Sequence, residues 1–270
     1  MFNFVESVNQ LRSIEDLSKK DSLIKRINPL TKLIVTIIYI MIVVSMNKYE
    51  ITSLYPFMFY QIFLLYFCDV PLKLFFNMIL IGLPLVLGIG VFNIFFNREV
   101  YLSLGMISIT YGMISFVSLF IKGCLTITAG VLLICTTHVE DLAKSLRKIY
   151  VPKIITNQIV FMYRYIFVLI ESVYQVNNAY MLRAPDQKGI NIKLWGPLLG
   201  QILLRSFDKA EKIYNAMLLR GFDGEYITYM DKKLGLLDFC YLVSWCLLFI
   251  LIKNVNMPLL IGNIVIGRWI

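Results

Sequence analysis

The 270-residue sequence predicts an all-α polytopic membrane protein: four N-terminal transmembrane helices, a basic cytoplasmic helical module and a C-terminal transmembrane helix. Three observations predict it. A mean hydropathy of +0.73, with 59% hydrophobic and 16% charged residues, is too apolar for a chain wetted on all sides. Long uncharged apolar runs recur, and a spanning helix needs roughly 20 such residues because the hydrocarbon core is about 30 Å thick. Of the 26 Lys+Arg, 6 lie in residues 1–32 and 14 in residues 137–233, and the positive-inside rule assigns both stretches to the cytoplasm. The organisation that follows is a cytoplasmic segment 1–29, a four-span region 30–136, a cytoplasmic module 137–235, and a last span with a short tail, 236–270. This is a multi-pass protein of the cell membrane, with its N-terminus inside.

The first apolar run, Leu30 to Met46, is entered through Asn28-Pro29, where proline suits a helix start, and Lys32 is placed to snorkel toward the headgroups. The second, Ile51 to Phe67, follows so closely that the pair forms a hairpin with an external Asn47–Glu50 turn. A third run, Leu74 to Phe96, carries Gly82, Pro84, Gly88 and Gly90, which permit kinks and close helix approach. Apolar character resumes at Leu102 and continues to Thr136. Topological parity favours one long, broken helix there over two, because four spans bring residues 137–233 back to the side of the basic N-terminus. Lys122 then lies at membrane depth, either in an ion pair or partner contact, or snorkelling.

From Val139 the pattern turns amphipathic. Val139, Leu142, Ala143, Leu146 and Ile149 recur at helical spacing opposite Asp141, Lys144, Arg147 and Lys148, and Val151-Pro152 ends the segment. A second helix runs from Ile154 to Arg183, too polar toward its end for a lipid span. A loop over Asp186–Gly196 leads to a third amphipathic stretch that begins near Pro197 and stops at Arg220-Gly221, with glycine where a C′ residue belongs. The final apolar run, Leu236 to Ile252, holds Asp238 as its one charge. The tail beyond Met257-Pro258 either crosses, lies in the interface or folds back. The N-terminal stretch has no apolar h-region, so no cleaved signal peptide is expected.

Function classes narrow quickly. A net charge of +9 suggests nucleic acid only where the cations form a patch on a soluble domain, and here they lie between spans. His138 is the single histidine, the five cysteines stand apart inside apolar runs as lipid-facing or packing residues, and no Gly-rich phosphate loop ends in Lys-Ser/Thr, so neither a histidine-rich metal site nor that route to ATP hydrolysis is present. A membrane-embedded enzyme calls for clustered acids or a nucleophile with its base. Asp223 and Glu225 lack that company. A permease with its own pathway calls for polar-lined spans and internal duplication, which the chain lacks.

The informative feature is a pair of helix ends: Ala179-Tyr180-Met181-Leu182-Arg183-Ala184 and Ala216-Met217-Leu218-Leu219-Arg220-Gly221. One arginine in a last helical turn follows from the helix dipole alone. Two copies on successive amphipathic helices suit a membrane subunit that grips two soluble partners through bidentate carboxylate contacts.

Over nearly its whole length the chain resembles the T components of energy-coupling factor (ECF) transporters, which include the CbiQ proteins of cobalt importers. The resemblance rests on Asn28-Pro29-Leu30-Thr31-Lys32, on Thr136 to Leu142 followed by Leu146-Arg147 and Val151-Pro152, on Arg164-Tyr165, and on Leu204 to Glu211 leading to Ala216–Gly224. That last stretch is most like the cobalt/nickel branch. The family's two Ala-Arg-Gly motifs map to Leu182-Arg183-Ala184 and Leu219-Arg220-Gly221; neither keeps the alanine and the first lacks the glycine. The resemblance implies a non-catalytic subunit whose coupling helices bind two ABC ATPases, with Ala179, Arg183, Ala184, Ala216, Arg220 and Gly221 at the contacts. It implies a substrate-binding membrane S component, CbiM/CbiN-like if the cargo is cobalt, or one for a vitamin instead. No cofactor is expected in this chain, ATP and Mg being bound by the partner ATPases.

Overall fold

The computed structural model describes residues 27–49, 51–68, 72–96, 100–104, 107–183, 192–224 and 234–254. The expected N-terminal segment up to residue 26, Ala184 with the rest of its loop, and the C-terminal tail lie outside them. The helices are α1 (Pro29–Ser45), α2 (Met58–Cys68, preceded by a 3-10 stretch Thr52–Phe57), α3 (Leu72–Phe96), α4 (Tyr111–Thr136), α5 (Val139–Lys148), α6 (Lys153–Arg183), α7 (Ile192–Leu219) and α8 (Leu236–Asn254). They fall into two compact units, one holding α5, α6 and α7 and the other the remaining elements. The fold is helical, as the apolar periodicity predicts.

Three local expectations change. The long helix expected from Leu102 begins only at Tyr111; before it, β1 (Val100–Leu104) and β2 (Ile107–Thr110) pair antiparallel. Leu102, Ser103 and Leu104 oppose Ile109, Ser108 and Ile107. This is a period of two rather than 3.6, written in β-branched residues, serines and leucines. The second apolar run opens as a 3-10 turn because Pro56 sits within it. α7 starts at Ile192 rather than near Pro197, and the proline falls in its second turn.

α3, α4, α6 and α8 are each long and apolar enough to cross a bilayer, while α1 and the Thr52–Cys68 stretch are shorter apolar helices. α6 meets that criterion despite its polar second half. α1 packs one face into its unit, with Val35, Tyr39 and Val43 fully buried, while Ile37, Met41 and Val44 on the other face are exposed. Tyr39 packs on Phe57, Tyr60 and Phe249, with ring centroids 5.0 to 6.0 Å apart, and Trp245 of α8 stands edge-on to Tyr60 at 4.7 Å. Buried Gln61 donates to the Tyr39 hydroxyl (3.1 Å) and to the Leu125 carbonyl (2.6 Å), joining α2 to α1 and α4. α3 and α4 run antiparallel in close contact: a Cβ on Gly123 would stand 2.6 Å from the Val86 side chain, and one on Gly90 2.7 Å from Phe116.

Lys32 does not snorkel. It is 4% exposed, and its ammonium donates to the Thr136 carbonyl at the end of α4 (3.1 Å). Next to it the Asn28 side chain accepts from the Leu30 N–H (3.1 Å) to cap α1. The Asn28 N–H donates to Asp238 Oδ1 (2.7 Å), whose Oδ2 accepts from the Gly235 N–H (2.8 Å) at the start of α8. The Asn-Pro-Leu-Thr-Lys motif thus ties the start of α1, the end of α4 and the start of α8 into one buried polar knot. Both signs follow the helix macrodipole: the cation meets a C-terminus and the carboxylate an N-terminus. At the far end of α1, Lys122 donates to the Met46 carbonyl (2.5 Å), just past the C-terminus of that helix.

Candidate functional site: the helix tips of the amphipathic unit

α5 carries Glu140 and Asp141 in its first turn and Arg147 and Lys148 in its last, which suits the dipole. Lys144 pairs with Asp141 at 3.2 Å. It ends in a Schellman turn, with Val151 N–H on the Leu146 carbonyl and Tyr150 N–H on that of Arg147, both 3.2 Å. Pro152 then redirects the chain into α6.

α6 and α7 run antiparallel. Lys209 donates to the Ser172 hydroxyl (2.5 Å), Phe222 meets Phe161 at 6.1 Å, and the Asn157 amide donates to the Gly224 carbonyl (2.9 Å). An open apolar groove of about 420 Å³ lies between them, lined on one side by Phe161, Tyr165 and Leu169 and on the other by Leu203, Phe207 and Ile213. The apolar stripes on both helices were legible in the sequence; that they meet across a groove was not.

Each described site residue lies on the surface. Arg183 is the last residue of α6, exposed, with exposed Ala179 one turn before it. Ala216, Arg220 and Gly221 are exposed at the end of α7. There Gly221 adopts φ +81°, its N–H bonds the Leu218 carbonyl and the Phe222 N–H bonds that of Met217, both at 3.0 Å. This backbone cap closes the helix end, and the Arg220 side chain stands exposed beside it. The antiparallel pairing places the two arginines at opposite ends: Phe222, two residues past Arg220, packs on Phe161, and at 1.5 Å rise per residue Arg183 lies roughly 30 Å further along α6. One ligand cannot bridge them. Leu182 and Leu219, which precede the arginines, are 83% and 90% exposed. Both stand where the resembled motif has alanine, and leucine at helical spacing reads as core, so their exposure is a finding of the structure.

The fold and site together define a helical membrane subunit with an amphipathic unit that presents two separate arginine-tipped ends. The family model described as CbiQ, cobalt transport protein, matches residues 20–230. The chain is 30% identical to the energy-coupling factor transporter transmembrane protein EcfT of Lacticaseibacillus paracasei, over 76% of this chain and 82% of that one. It is 29% identical to the EcfT protein of Streptococcus equi subsp. equi, over 76% and 81%, and 24% identical to an uncharacterized protein of Methanocaldococcus jannaschii, over 88% and 85%. The chain belongs to the CbiQ/EcfT family, the transmembrane T components of ECF transporters.

Proposed function

We propose that this chain couples ATP hydrolysis by two ABC ATPases to uptake through a substrate-binding membrane subunit, and that it catalyses no reaction itself. The observation that carries this reading is the placement of Arg183 and Arg220, exposed at opposite ends of the α6–α7 pair, one docking point for each of two motors. An amphipathic helix seated in a partner's groove transmits rigid-body movement, because its apolar face is buried there while its arginine fixes the register. Ala179 and Ala216 admit close approach on the arginine side, and Ala184 and Gly221 follow the arginines. ATP and Mg belong to the ATPases.

The amphipathic unit faces the cytoplasm in this reading. Supporting it are the Lys and Arg excess in residues 137–233 and the exposure of Arg164 and Glu171 on α6, charges that cost about 2.5–3.5 kcal/mol each at a bilayer centre. The cargo is cobalt or nickel ions, on the strength of the family description and the Ala216–Gly224 stretch; a vitamin is the alternative, set by the S component.

The test is co-purification of the assembled complex. Arg183→Glu is expected to release one ATPase and Arg220→Glu the other. Retention of both ATPases by the double variant overturns the proposal.

A further inference from the structure

The two arginine-tipped ends of the α6–α7 pair are built differently. At the Arg220 end Phe222 packs on Phe161, the Asn157 amide holds the Gly224 carbonyl, and a backbone cap closes α7. Among the described residues, the hydrogen bonds and ring contacts that α6 makes with α7 and its cap reach only as far as Ser172, which accepts from Lys209. From that pair Arg183 lies eleven residues on along α6, and Pro197 twelve residues back along α7. At 1.5 Å per residue in antiparallel helices, both stand roughly 17 Å away and level with each other. The opening turns of α7 therefore flank the Arg183 tip.

Those turns hold Gly196, Pro197 and Gly200. Pro197 is the sixth residue of the helix, past the four N–H groups that any helix leaves free, so its missing donor deletes an internal bond to the carbonyl four residues back. Glycine loosens a helix as well, unless it serves a close approach. In α3 and α4 it does, because a Cβ on Gly90 or Gly123 would clash with the facing helix. In α7 it does not: among the described residues, a Cβ on Gly196 or Gly200 would meet no heavy atom within 4 Å. Leu194, Trp195 and Leu199 around them are exposed too. Three residues weaken the same two turns, and no packing in the unit calls for them.

We propose that Gly196 to Gly200 is a hinge in α7, which lets the Arg183 end of the pair bend while the Arg220 end moves as one fixed piece. The hinge rests on the coupling role above and makes its two docking points unequal: one yields and the other transmits. Hydrogen exchange on the purified full-length subunit, parent against the double variant Gly196→Ala, Gly200→Ala, tests it without a partner. Each glycine weakens a helix about two- to fivefold relative to alanine, so the double variant is expected to slow exchange over residues 198–204 roughly tenfold. Residues 210–222 should exchange as before. In the transporter assembled with its ATPases and substrate-binding subunit, the same variant is expected to keep every subunit and its ATP hydrolysis, and to lose at least about fivefold in uptake per ATP. Equal exchange over residues 198–204 in the two proteins, or uptake per ATP unchanged, overturns the hinge. Loss of the substrate-binding subunit overturns it as well, and makes the two glycines a seat for a partner helix instead. The coupling role itself falls by a different result, retention of both ATPases in the double arginine variant, so the two failures are distinguishable.

Discussion

Lys32 and Arg220 are both cations beside a helix terminus, and the two regions that hold them use charge in opposite ways. Lys32 is buried, with its ammonium on the last carbonyl of another helix. Arg220 stands exposed beside a helix end already closed by its own backbone. Where the bundle buries charge, charge fastens helix to helix. Where α7 closes its end with glycine and backbone N–H groups, the charge stays on the surface.

Substitutions sharpen that contrast. The largest effect is expected from combining Arg183→Glu with Arg220→Glu: uptake by the assembled transporter falls at least about 100-fold, as truncating buried interface charges costs 2–5 kcal/mol. The isolated subunit's denaturation midpoint should stay within about 0.5 kcal/mol of the parent, because these are surface positions. Lys32→Ala should show the reverse pattern. It leaves the Thr136 carbonyl unsatisfied and a void beside it, costing the bundle about 2–4 kcal/mol, read from detergent unfolding curves. Asp238→Ala comes next, orphaning the N–H groups of Asn28 and Gly235 for about 2 kcal/mol, and the same curves would report it. A stability unchanged in either would erase the distinction between the two regions. The smallest effect belongs to Gly221→Ala, about 1 kcal/mol from forcing a Cβ into a left-handed position, measurable as faster exchange of the backbone amides at positions 221 and 222.

What the sequence made legible was local. Apolar runs located the long helices, and the Arg220-Gly221 step located the end of α7, because a cap is decided by its own few residues. The pairing of β1 with β2 was less legible: leucine or isoleucine alternates with serine there, but over so few residues that apolar content alone reads as a continuing helix. Lys32 and Asp238 escaped for another reason. Their partners lie 104 and 210 positions away, and no window along the chain contains both. The same holds for the tips: the motif named the arginines, but only the pairing of Phe222 with Phe161 sets them at opposite ends.

The carbonyl that Lys32 grips belongs to Thr136, and the chain enters α5 just past Thr137 and His138. A shift of that end of α4 draws on α1 through the ammonium, and α1 in turn holds α8 through the Asn28–Asp238 bond, so the three helix ends keep one another in place.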